Sequence, residues 1–114
     1  MKKIIQPNEK IFIAGANGMA GSSIFRKLLT AGYGQSKFGG QILSPTKKEL
    51  NLLDKNSLED WFSNKRPSVV IIAAAKVGGI LANSTKPADF LLENLKIQTN
   101  LIETAWQYGV KRLL

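Results

Sequence analysis

The chain contains neither cysteine nor histidine. Without cysteine there are no disulfides, thiolate metal sites or thiol nucleophiles, and without histidine the commonest general base and commonest metal ligand are missing. Aromatic residues make up only 8%. They do not interleave with the basic residues, as a face for stacking single-stranded nucleic acid requires. Continuous apolar stretches are short: none is long enough to span a membrane, and MKKIIQPNEK lacks the apolar core of a signal peptide. A cytoplasmic location, with no membrane partner, is the expectation. Acidic residues are few, 8 against 16 basic, and none lies between Glu9 and Glu49.

The remaining composition is that of a globular domain: 114 residues, 44% hydrophobic and 21% charged, with a formal net charge of +8. That length accommodates one core of modest size. A basic balance attracts nucleic acid, anionic membranes or phosphorylated ligands. Here the cations are scattered in runs of at most two, which favours a phosphorylated small molecule and argues against nucleic acid.

Strand-like and helix-like segments alternate. Lys10 to Ala14 reads as a buried strand, Gly18 to Ala31 as a helix stopped by Gly32 and Gly34, and Gln41 to Ser44 as a second strand. A second helix is expected with Asn56 as its N-cap, Glu59 three residues on, and an apolar stripe of Leu58, Trp61 and Phe62. SVVIIAAA, Ser68 to Ala75, is the most strongly buried strand. A long helix from Pro87 to Tyr108 follows, with Leu91, Leu95, Gln98, Ile102 and Ala105 expected along its packed side, and Val110 to Leu114 begins another strand. This alternation indicates an α/β fold with a doubly wound parallel sheet. SVVIIAAA is expected between the first strand and the last, poorly covered on one edge, and poor solubility is expected from that edge.

Between the first strand and its helix stands GANGMAG. Gly15 permits the tight turn, Gly18 lets backbone amides approach a pyrophosphate, and Gly21 lets the helix pack closely on the sheet. A cofactor with a free ribose 2'-hydroxyl usually meets an acidic residue about 20 residues further on. In its place the second strand is followed by Thr46, Lys47 and Lys48, a hydroxyl and two cations suited to a 2'-phosphate, so NADP(H) is favoured over NAD.

The stretches FIAGANGMAGS, KELNLLD, AAAKVGGILAN and KPADFLLENLKIQTNLIETA together resemble the N-terminal part of the extended short-chain dehydrogenase/reductases, and within them the GDP-L-fucose synthases. The resemblance runs from Lys10 onward. It implies a Rossmann-like domain over 1–114, with a flexible segment at 1–9, stopping before the later strands and the substrate domain. It also implies cofactor contacts at Gly15, Asn17, Gly18, Met19 and Gly21, at Asn51 and Leu52 for the adenine, at Ala73, Ala74 and Ala75 beneath the ribose and nicotinamide, and at Asn94. Lys76, Val77 and Gly78 would continue toward the substrate. The family often carries a basic residue in the glycine loop; Ala16 and Asn17 stand there, which leaves Lys47 for the 2'-phosphate.

For the family the resemblance implies NADPH-dependent epimerisation and reduction of GDP-4-keto-6-deoxy-D-mannose to GDP-L-fucose. That chemistry uses a serine, a Tyr-x-x-x-Lys pair, a cysteine and a histidine, none matched here. The expectation is therefore a cofactor-binding portion inactive alone, meeting a GDP-sugar only when completed, for example by a second polypeptide. A formal match at Tyr33 to Lys37 is set aside, because it follows the first helix, away from the nicotinamide side. The alternatives from the residues are a non-catalytic nucleotide-binding module, an assembly partner, or part of another nucleotide-sugar enzyme.

Overall fold

The computed structural model describes residues 5–15, 19–35, 37, 39–46, 48–73 and 87–114. Its elements are β1 (Lys10–Ala14), α1 (Met19–Thr30), β2 (Gln41–Leu43), α2 (Lys55–Lys65), β3 (Val69–Ile72), α3 (Pro87–Gln107) and β4 (Arg112–Leu113). All described strand pairs are parallel, in the order β2-β1-β3-β4. Ile11 pairs with Val69, Phe12 with Val70, and Lys10 with Gln41.

Alternation along β1 divides the core. Ile11 and Ile13 face α1, where Ile24, Phe25 and Leu28 pack with Val69 and Ile42. Phe12 and Ala14 face the opposite layer, with Leu43, Leu58, Phe62, Val70, Leu101 and Ala105. Helices therefore cover both faces of the sheet, as the alternation of elements predicts. Trp61 lies 4.3 Å from Phe12 and Phe62 5.7 Å, centroid to centroid. Full burial of a side chain such as Phe62 contributes about 2 kcal/mol.

Three local expectations are corrected. The N-cap of α2 is Asp54, not Asn56: its Oδ1 accepts from the backbone N–H groups of Asn56 at 3.1 Å and Ser57 at 3.4 Å. Extended backbone at Asp54 (φ −97, ψ 104) aims the carboxylate at those free donors, and Glu59 turns to Lys55 instead.

The packed side of α3 also differs, except at Ala105, which is buried as expected. Ile97, Leu101, Thr104, Ala105 and Tyr108 meet the core, while Leu91, Leu95 and Ile102 stand about half exposed. Both stripes satisfy helical periodicity. Thr104 and Ala105 on the inner stripe allow close approach, and the buried Thr104 hydroxyl is satisfied by donating to Asn100 O at 2.6 Å.

β3 sits between β1 and β4 as expected, but residues 112–114 do cover its outer edge. Ile72 N donates to Leu114 O at 2.8 Å and Leu114 N to Val70 O at 2.9 Å, so the open edge belongs to β4.

The segment before β1 folds into a turn over residues 6–9, with Gln6 N bonded to Glu9 Oε2 and Glu9 N to Gln6 O. Ile5 packs against the α1 side of the core. No described helix is long and apolar enough to cross a membrane.

Candidate functional site

From β1 the chain passes to β2 on one side and later to β3 on the other. In parallel α/β sheets such a reversal leaves a crevice beyond the carboxyl ends of the two central strands. Gly15 stands at its mouth, at φ 89, a left-handed conformation that glycine adopts without strain. Across the reversal Ala73, itself buried, donates its N–H to Ala14 O at 2.8 Å. Helix α1 begins at Met19, its amino end toward this edge, and the buried Gly21 lies within its first turn. Exposed N–H groups at such an end favour anions.

The turn after β2 is fixed from both ends. Thr46 N donates to Glu49 Oε1 at 3.1 Å, and Glu49 N donates to Thr46 Oγ1 at 3.3 Å. This reciprocal pair is the capping arrangement of a Thr-x-x-Glu stretch. The sequence carries the same Thr-x-x-Glu spacing at Thr46 and Glu49. The turn holds Lys48 exposed at the same edge.

Beyond it, Asn51 folds its loop around itself. Asn51 Oδ1 accepts from Leu53 N at 3.0 Å, and Asn51 O accepts from Asp54 N at 3.1 Å. With Oδ1 engaged, the amide keeps its Nδ2 donor for a ligand acceptor. Leu52 O receives a hydrogen bond from Asn100 Nδ2 of α3 at 3.0 Å, a residue that no sequence signal singled out. Asp54 closes the loop. The Ser57 hydroxyl, at 2.8 Å, with the Ser57 and Asn56 amides, holds its carboxyl below the ordinary carboxylate range.

Asn94 lies in the second turn of α3, which starts at this same edge because it runs against the strand direction. Its Nδ2 is buried and has no hydrogen-bond partner among the described residues. A buried donor left unmet costs about 1–3 kcal/mol, so an acceptor brought by a ligand would remove that penalty.

Gly15, Gly21, Asn51, Leu52, Ala73 and Asn94 thus belong to elements that meet at one edge of the sheet. Asn17, Gly18, Lys47, Ala74, Ala75, Lys76, Val77 and Gly78, with the side chain of Met19, lie outside the described residues. Tyr33, of the discarded Tyr-x-x-x-Lys match, follows the far end of α1. Its hydroxyl donates to Ile5 O at 3.0 Å, away from the crevice. No group of residues suited to a metal ion is found among those described.

Residues 11–114 match the model of the NAD dependent epimerase/dehydratase family. The chain is 49% identical over 105 residues to GDP-L-fucose synthase 1 of Arabidopsis thaliana, covering 92% of this chain and 31% of that protein. Among solved structures it is similar to DdhaC, with a TM-score of 0.83 and 41% identity, over 96% of this chain and 30% of that one. It is likewise similar to MlghC, a GDP-mannoheptose C4 reductase from Campylobacter jejuni with NADP bound, with a TM-score of 0.77 and 29% identity, over 96% of this chain and 32% of that one. The chain spans about a third of the length of these relatives.

Proposed function

Since the chain belongs to the NAD dependent epimerase/dehydratase family, we propose that it forms the NADP(H)-binding part of a GDP-sugar reductase and epimerase of the GDP-L-fucose synthase type. The observation that carries this is the reversal of strand order between β1 and β3 with Gly15 at φ 89 beside it, where sheets of this kind bind nucleotides. The Asn94 amide, unpartnered among the described residues, the Asn51 amide with its Oδ1 engaged and the pinned turn bearing Lys48 fit a polar dinucleotide.

In this reading Gly15, Gly18 and Gly21, with the amino end of α1, hold the pyrophosphate. Asn17 and Met19 add backbone contacts. Thr46 and Lys47 face the 2'-phosphate, and Asn51 and Leu52 face the adenine. Ala73, Ala74 and Ala75 leave room for the ribose and nicotinamide, Asn94 donates to the cofactor, and Lys76, Val77 and Gly78 border the sugar substrate. The bound nicotinamide would supply hydride to a sugar carbonyl. The chain's own residues bind and orient it; a GDP-sugar and its proton donors require the rest of the enzyme.

Titration of the 114-residue chain with NADPH and NADH tests the reading. NADPH binds more tightly, and Lys47→Ala combined with Lys48→Ala lowers that preference about tenfold, the worth of a lost charged hydrogen bond. With GDP-4-keto-6-deoxy-D-mannose the chain alone oxidises no NADPH. Absence of NADPH binding, or turnover by the chain alone, overturns the proposal.

A further inference from the structure

The peptide group joining Leu52 to Leu53 is held at both of its polar atoms. Its carbonyl accepts from Asn100 Nδ2 at 3.0 Å, across 48 residues of sequence, and its N–H donates to Asn51 Oδ1 at 3.0 Å. Because a peptide unit is planar, anchoring both atoms fixes the orientation of the whole group. Asn51 O, receiving Asp54 N, then ties the loop to the cap of α2.

Asn100 is the only one of these anchors that comes from outside the loop. It lies on the inner side of α3, next to the buried Leu101, and its backbone carbonyl is itself held by the Thr104 hydroxyl. Asparagine is among the poorer helix formers, and a mid-helix amide of this kind usually turns to solvent or to its own backbone. This one reaches another element.

We infer that Asn100 is a positioning residue of the purine site: it fixes the Leu52–Leu53 peptide plane, and with it the groups that Asn51 and Leu52 present to the cofactor. The inference rests on the cofactor reading above. Asn100 itself touches no ligand. Its role is to keep Asn51 Oδ1 committed to Leu53 N, so that Nδ2 alone is presented outward and the loop meets the purine already ordered.

Two variants of the 114-residue chain test this. Asn100→Leu keeps the side-chain size and removes the donor without adding charge; Asn100→Ser shortens the side chain. Amide exchange at Leu53 and Asp54 is followed by NMR, alongside affinities for NADPH and for reduced nicotinamide mononucleotide, which carries no purine. The expected result is cooperative melting in both variants, exchange at Leu53 faster by about tenfold, and NADPH affinity lower by roughly three- to tenfold, the worth of one neutral hydrogen bond. Affinity for the purine-free ligand is unchanged.

Wild-type exchange at Leu53 in a folded variant overturns the inference. So does equal weakening of both ligands, and so does failure of both variants to fold, which makes the contact one that holds the fold. If the unaltered chain binds neither ligand, the cofactor reading falls and takes the purine role with it, while exchange at Leu53 still decides the anchoring.

Discussion

Asn94 is the residue whose surroundings are least complete: a buried amide nitrogen with no partner among the described residues. Replacing it by leucine removes the unmet donor and adds a better helix former. Asn94→Leu should therefore raise the melting temperature of the ligand-free chain by about 4–8 °C, the equivalent of about 1 kcal/mol. It should also weaken NADPH binding by about tenfold, the worth of a lost hydrogen bond to a charged ligand. Differential scanning calorimetry with and without NADPH checks both; a variant less stable when ligand-free shows the amide to be satisfied within the chain. Such opposition of stability and binding is usual at functional sites. Glycine spacing marked Gly15 in the sequence because a positive φ leaves few other choices, whereas Asn94 and Asn51 were found through resemblance. Asn100 was not found at all, since its partner is a backbone carbonyl 48 residues away and a carbonyl leaves no trace in residue identity.

Two consecutive residues at the head of α2 respond to opposite ends of the pH scale. Asp54 has its carboxyl held below its ordinary value of 3.8, chiefly by the Ser57 hydroxyl and then by the Ser57 amide. The stability it lends is complete above that value and is lost as pH falls through the lower folded one. Lys55 is shifted upward from 10.5, first by its hydrogen bond to Glu103 and then by that to Glu59. Its contribution is complete below 10.5 and is lost as pH climbs through the raised value. Its ammonium also reaches Gln107 Oε1 at 3.0 Å, so one cation ties α2 to α3. Melting temperature against pH should show a plateau with a fall at each end. Asp54→Asn should flatten the acid fall and Lys55→Met the alkaline one. The elements themselves were legible, β1 to the residue and α3 to within one, because period and punctuation are local. Which of two apolar stripes of α3 faces inward was not, because that depends on what the sheet and α2 offer in return.

At the scale of the whole molecule, the sequence predicted the parallel sheet and the place of β3 between β1 and β4; it misplaced the open edge, because pairing by Leu114 is a contact between distant segments. That edge is β4, where Leu113 and Leu114 are 40% and 64% exposed. The outer stripe of α3, with Leu91, Leu95 and Ile102 about half exposed and Trp106 81% exposed, adds apolar surface. Contiguous patches of this kind promote association. Sedimentation of the chain should show mass rising with concentration, and Leu95→Lys with Ile102→Lys should reduce that rise at unchanged melting temperature; a concentration-independent monomer contradicts it. The pairing of Ile11 with Val69 has a further meaning on the ribosome. The first strand is made 58 residues before its central neighbour, which at 5–20 residues per second is a wait of about 3–12 s. Through that interval β1 and α1 have β2 and, near its end, α2 to lean on but lack their central strand, so the nascent chain is most vulnerable to chaperone capture or proteolysis before Val69 emerges.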